Sequence, residues 1–435
     1  MPTALTLPAP TYALERTTLA NGLRVLMAPD KSAPVVGIAV HYDVGMRSEP
    51  QGRTGFAHLF EHLMFQGSAS LEKLAHFRYV QSSGGTFNGT THLDYTNYFE
   101  VLPSNALERG LFLEADRMRA PTLTEENLAN QISVVKEEIR VNVRNRPYGG
   151  FPWLMMPQVL FDTFANTHDG YGSFEDLEAA TLQDAWQFFD RYYAPANAVL
   201  TLAGDIDPAA ALPLLERHFG DIPARSAPPR TSFAEPPLTE ERRTTVTDAL
   251  APLPSVAVAW RVPDPMGDLS AYLPFVVLAE VLSDGDAARL RQRLVRQDRV
   301  ATEVYAYLGL LGDPFDARDP TELIVQVNHA NDVPSTTVLS TVDDELARLA
   351  GDGLKPGELA RVQARMAAQL LREVDGVLAR TLALAALEQQ HGRAELLMEL
   401  PGLIGAVTAE QVAAAAATLR PDRRAVVELV PGGAR

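Results

Sequence analysis

The chain has 435 residues, 46% hydrophobic and 21% charged, with 38 basic against 55 acidic side chains, a net charge of −17 and no cysteine. That length exceeds one ordinary core and fits two domains of about 200 residues. The acidic balance disfavours a nucleic-acid surface, the lack of any run of about 18 apolar residues gives no membrane span, and zero cysteine leaves His, Asp and Glu as the strong metal ligands.

The stretch from Met1 to Pro10 lacks a basic region followed by a continuous apolar one, so a cytoplasmic location is the simplest expectation. Strands are expected over Leu23 to Ala28 and Val35 to Val44, both rich in β-branched and aromatic residues. A mostly buried helix follows, from Thr54 to Phe65, and it contains His58-Leu59-Phe60-Glu61-His62. At roughly 100° per residue, His58 and His62 lie about 40° apart on one helical face, so both imidazoles can reach one metal ion, with Glu61 on the adjoining edge. This H-x-x-E-H spacing points to a zinc peptidase, with Glu61 as base for a metal-bound water. The alternative, two histidines on an ordinary core helix, needs partners for three buried polar groups at once.

The segment Gly84 to Glu100 begins with turn glycines and becomes strand-like. It reads either as an ordinary hairpin or as an edge that takes up an extended peptide through backbone pairing. A helix from Thr124 to Asn142 opens with Thr124 as N-cap and has Leu128, Ile132 and Val135 on one face. Continuing that face reaches Glu138, favoured as third ligand over Glu137, which lies about 100° away and reads as solvated. His92 is expected to be structural or on the surface, as are His41, His76, His168, His218, His329 and His391, none of which has ligand spacing.

A Pro-rich stretch from Ala224 to Glu240 cuts the chain nearly in half. The expected organisation is a zinc-binding domain over 1–223, a linker over 224–243 and a second domain over 244–435. The second half repeats the order of elements: strands near Thr244 to Thr247 and Ser255 to Val262, then an apolar helix from about Ser270 to Ser283. Thr124-Glu125-Glu126-Asn127-Leu128-Ala129-Asn130 resembles Lys355-Pro356-Gly357-Glu358-Leu359-Ala360-Arg361, each opening a long helix, which suggests an ancient duplication. In the second copy Gln369 stands opposite Glu138, and the helix matching the H-x-x-E-H segment has no histidine. Strands and helices occur in runs, so the fold class is α+β.

These residues resemble the pitrilysin family of zinc peptidases, and within it the small two-domain branch that includes bacterial processing-peptidase-like proteins and the β subunit of the mitochondrial processing peptidase. The resemblance runs over almost the whole chain. It is carried by 19–25, Val44-Gly45-Met46-Arg47-Ser48-Glu49, 55–65, Val134-Val135-Lys136-Glu137-Glu138, 192–198 and Ala203-Gly204-Asp205. It implies two homologous α/β-sandwich domains forming half of a clamshell, with zinc on His58, His62 and Glu138 and Glu61 as the base of a peptide-bond hydrolysis. It also implies that the strand near Phe87, Asn88 and Gly89 contacts substrate. Three positions depart from the family. Gln131 stands where an auxiliary glutamate is expected. In the second half, Val295 and Thr302 occupy the places of a substrate-binding Arg and Tyr, so Arg296 is the nearest candidate for that arginine. This resembles the zinc-bearing member of a heterodimer. A homodimer using Arg296 or Arg299 with Tyr305 or Tyr307 is the competing assembly, and a non-catalytic scaffold subunit is the competing function.

Overall fold

The computed structural model describes residues 7–432. Among them, strands β1 (Glu15–Thr18), β2 (Arg24–Pro29), β3 (Val35–Tyr42), β4 (Thr86–Thr91), β5 (Thr96–Pro103) and β6 (Ala198–Gly204) form one sheet in the order β1-β2-β6-β3-β5-β4. Strands β7 (Arg242–Asp248), β8 (Ser255–Val262), β9 (Ala301–Leu308), β10 (Thr321–His329) and β11 (Ala425–Pro431) form a second, in the order β7-β11-β8-β10-β9. The two sheets have one topology. β2 runs parallel to β6 as β7 runs parallel to β11, and the antiparallel steps β6-β3-β5-β4 match β11-β8-β10-β9. The duplication read in the sequence is therefore present in the pairing order and direction of every strand but β1.

Each sheet is buried on both faces, and the alternation of side chains sorts the two cores. In β2, Val25 and Met27 enter the core of the first half, while Leu26 and Ala28 face the other way. In β11, Val426 enters the core of the second half, while Ala425, Val427 and Leu429 face away from it. These outer faces are covered crosswise. The helix Val377–His391 of the second half packs on β3 and β6 of the first. The short helix Met156–Leu160 of the first half packs on β8 and β11 of the second. The halves are thus separate along the chain and interlocked in space.

Between the helix Pro208–Phe219 and β7 there is no regular element, and β7 begins at Arg242, inside the expected linker of 224–243. The stretch is pinned rather than loose. Phe233 is buried under Arg47, Glu235 accepts from Thr163 and Asn166, and Arg230 pairs with Asp43 at 2.7 Å. Among the described residues no single helix is long and apolar enough to cross a membrane.

Candidate metal centre

The H-x-x-E-H segment forms the helix Phe56–Leu63, shorter than its expected span from Thr54 to Phe65. Its N-cap, Gly55, has φ of 81° and offers no side chain, so the first turn is satisfied from outside: Glu49 accepts from the amides of Gly55 at 2.8 Å and Ala57 at 2.7 Å. His168, 3.2 Å from Glu49, braces that carboxylate. A Cβ at Gly55 would stand 2.4 Å from the carbonyl oxygen of Tyr171, so glycine is what lets the Tyr171 loop close over the helix. Leu59, Phe60 and Leu63 are fully buried and fix the helix face, leaving His58, Glu61 and His62 on the opposite, half-buried side.

The third candidate ligand lies on the helix Glu125–Ile139, capped by the Thr124 hydroxyl, which accepts from the amide of Asn127. Buried Leu128, Val135 and Ile139 set its rotation. Glu138 then faces the histidines, while Glu137 is exposed and paired with Arg140 at 3.0 Å, as the face argument requires.

The Nε2 atoms of His58 and His62 are 3.3 Å apart, and Glu138 lies 3.7 Å from the first and 3.3 Å from the second. Ligands about 2 Å from a common ion at tetrahedral angles stand about 3.3 Å from one another, so this N, N, O set fits a zinc ion with one open position. Two imidazole nitrogens facing each other can share one proton at most, so a cation satisfies them better than they satisfy each other. Burial and the neighbouring His62 push the His58 pKa down to about 4, against the pull of Glu138, which leaves its ring neutral and able to ligate. For His62, burial is outweighed by a hydrogen bond to Glu138, the charges of Glu61 and Glu138 and a hydrogen bond to Gln131, so its pKa is raised. The bond to His62 holds the Glu138 carboxyl below its usual range, against burial.

Glu61 is set beside the ligands and outside their group. Burial raises its pKa, and Thr91 at the end of β4 counters this by donating to Oε2 at 2.7 Å. Gly89 makes room for that approach: a Cβ there would lie 3.1 Å from Glu61 Cγ and 3.2 Å from the rings of Phe65 and Tyr98. Tyr171 completes the site, its hydroxyl 3.3 Å from Glu138 and its ring edge-on to His58 with centroids 5.1 Å apart. Sequence reasoning missed Thr91, Tyr171, Glu49 and His168. Glu49 alone had a signal, six residues before the glycine that opens the metal helix; the others arrive from distant elements.

The remaining candidates divide. β4 is the edge of its sheet, paired with β5 on one side only, as uptake of an extended peptide requires. Asn88 is exposed on it, whereas Phe87 is half-buried, its ring packed on Phe77, His76 and Phe65. Arg296 is not brought to the centre. It lies on the turn Arg291–Gln297, packed on β9, with Asp286 at 3.6 Å as its ion-pair partner. Thr302 bonds the Asn328 carbonyl across the ladder. His92 joins the two halves through Asp316.

A second group, His76, Glu100 and Glu114, also has ligand spacing and is wholly buried. Arg117 already pairs with Glu114 there and lies under the rings of Tyr98 at 4.3 Å and Phe65 at 4.9 Å. With that guanidinium present, one proton balances the two carboxylates, and we read the group as a charge cluster beneath the site.

A twice-repeated α+β unit with an H-x-x-E-H helix and a carboxylate from a second helix is the architecture of an M16-type peptidase. Residues 24–166 match the family model "Insulinase (Peptidase family M16)" and residues 179–366 match "Peptidase M16 inactive domain". The chain belongs to this family, the pitrilysin family. It is similar to the zinc protease PqqE of Helicobacter pylori, 29% identical over 310 residues that cover 69% of this chain and 67% of the relative. It is similar to the mitochondrial-processing peptidase subunit beta of Blastocladiella emersonii, 23% identical, with 91% and 84% of the two chains covered. The crystal structure of a protease from Helicobacter pylori superposes with a TM-score of 0.89 at 23% identity, covering 97% of this chain and 100% of that one, which shows the shared fold.

Proposed function

We propose that the chain is a zinc-dependent endopeptidase that hydrolyses peptide bonds in peptides or extended protein segments. The observation that carries this is the convergence of His58, His62 and Glu138 to tetrahedral ligand spacing with the Glu61 carboxylate held next to them. Zinc in that site supplies a Lewis acid that polarises a carbonyl and acidifies water. The chain's own groups do the rest. Glu61, its pKa raised by burial, takes the proton of the attacking water and returns it to the leaving amine. Thr91 holds one oxygen of that carboxylate and leaves the other free. The open edge of β4 pairs with the substrate backbone irrespective of its side chains, and Phe87 anchors the strand from behind.

We further propose that the working enzyme is two chains. The relative named as a subunit supports this, as does Arg296 standing away from the metal centre. A homologous partner would then supply the missing Arg and Tyr. The competing reading is a non-catalytic subunit of the same fold, favoured by the "inactive domain" match of the second half.

The test is cleavage of a mixed peptide library by the zinc-loaded chain, with Glu61→Gln as control. We expect Glu61→Gln to keep one zinc per chain and to lose hydrolysis by about 100-fold or more. Equal hydrolysis by both proteins would remove Glu61 from its role. Zinc binding without hydrolysis in the wild type, alone or with a co-purified partner chain, would favour the scaffold reading.

A further inference from the structure

The second half carries none of the three proposed ligands, yet one of its loops reaches the turn that holds the proposed base. We propose that Asp316, acting through His92, is a positioning residue for Glu61, so that the half without metal ligands sets the geometry of the base; for the role of Glu61 this rests on the reading above.

The loop Gly309–Pro320 between β9 and β10 lies against the β4–β5 turn of the first half. Asp316, its side chain only 3% exposed, stands with Oδ1 2.6 Å from His92 Nδ1 and accepts from the Tyr95 hydroxyl at 2.9 Å. The His92 ring is stacked on Tyr95, with centroids 4.3 Å apart, and its Nε2 is 2.8 Å from the Thr90 hydroxyl. Nδ1 is thus at ion-pair distance from Asp316, Nε2 is beside Thr90, and one ring face is covered by Tyr95. The next residue back along β4 is Thr91, whose hydroxyl donates to Glu61. The loop is fastened beyond Asp316 as well. The Arg318 amide donates to the fully buried Asp94 at 2.8 Å, its guanidinium pairs with Asp43 at 2.8 Å, and Arg47 joins Asp94 to the Asp319 carbonyl.

Adhesion between the halves would be served by such pairs anywhere along the interface. Their location is what indicates positioning. β4 has a ladder partner on one side only, so the place of its last residue depends on the turn that follows it. Every charged or titratable side chain of that turn, His92, Asp94 and Tyr95, takes a partner from the Asp316–Arg318 segment. Without the Asp316 carboxylate, the His92 ring loses its ion-pair partner and the Tyr95 hydroxyl its acceptor in a buried place, and Thr91 is free to turn away from Glu61.

The experiment combines hydrolysis kinetics on the mixed peptide library with crystal structures of zinc-loaded wild type and of the Asp316→Ala and Asp316→Asn variants. We expect Asp316→Ala to lower kcat about 10- to 100-fold with KM within about twofold, to keep one zinc per chain, and to part Thr91 from Glu61. Asp316→Asn, which can still accept from Tyr95, should fall between the two. An unchanged kcat, or a loss of kcat together with loss of zinc, would overturn the proposal. If the wild type hydrolyses nothing, the peptidase reading fails, and the structures still decide: an intact Thr91–Glu61 contact in Asp316→Ala overturns the link, and a broken one upholds it.

Discussion

Gly89 shows how tightly the residues of the site are set, since a side chain there would crowd the proposed base as it reaches Thr91 on the same strand. The charge cluster beneath is equally constrained and has a measurable consequence. Burial pushes the Glu100 carboxyl from 4.5 up to about 8, although Arg117 lowers it, and burial pushes the His76 ring down to about 3. The folded protein therefore keeps a proton on Glu100 that the unfolded chain releases above 4.5. Folded-state stability from this group is whole below pH 4.5 and is lost as pH rises towards 8. Glu100→Gln should remove that slope. We expect the variant to be about 1–3 kcal/mol more stable relative to wild type at pH 9 than at pH 5, by urea denaturation at the two pH values. Equal offsets at both would show that Glu100 ionises normally.

At the scale of elements, the metal helix depends on a cap that is not its own. Its span was legible as an apolar run around paired histidines, but the run extends to Thr54 and Phe65 while the helix is limited to Phe56–Leu63 by the left-handed Gly55 and the turn at Met64. Glu49 satisfies two of its amides, and glutamine in its place can accept from only one with the same oxygen while turning an NH2 towards the other. Glu49→Gln is expected to cost about 1–3 kcal/mol of stability and to weaken zinc binding about tenfold, because His58 lies in the first turn that Glu49 holds. Thermal unfolding and zinc competition with a chelator measure the two effects. A normal zinc affinity would show that the cap does not govern the ligands. The ranking of Glu138 above Glu137 was readable for a reason of the same kind: three apolar residues on one helix face leave a single direction for the next group on that face.

At the scale of the molecule, the midpoint of the chain was visible as a proline-rich interruption, but the interlock across it was not. Helix Val377–His391 covers the first sheet and helix Met156–Leu160 covers the second, so each half buries apolar surface of the other. A protease site placed at the exposed pair Ser226-Ala227 should therefore be cut without separating the halves. We expect the two fragments to co-elute on gel filtration and to part only in denaturant. Independent elution in native buffer would show that the crosswise packing contributes little. The same interlock carries the loop of Asp316 to the turn of His92.

The sequence by itself determined the α+β class and the duplication, and it singled out His58, Glu61, His62 and Glu138 as candidates, because helical periodicity and short-range spacing are local properties that one chain segment expresses alone. It also showed that the second copy lacks histidine at the matching helix, which put the candidate ligands in the first half. Tertiary structure decided what surrounds those groups. Thr91, Tyr171 and Glu49 with His168 reach the centre from other elements, Phe87 packs its ring on Phe77, Arg296 stays at the surface, and His92, which had no ligand spacing to recommend it, becomes one of the contacts between the halves. These outcomes depend on which elements pack together, and no periodicity within a segment records the partner that lies across from it.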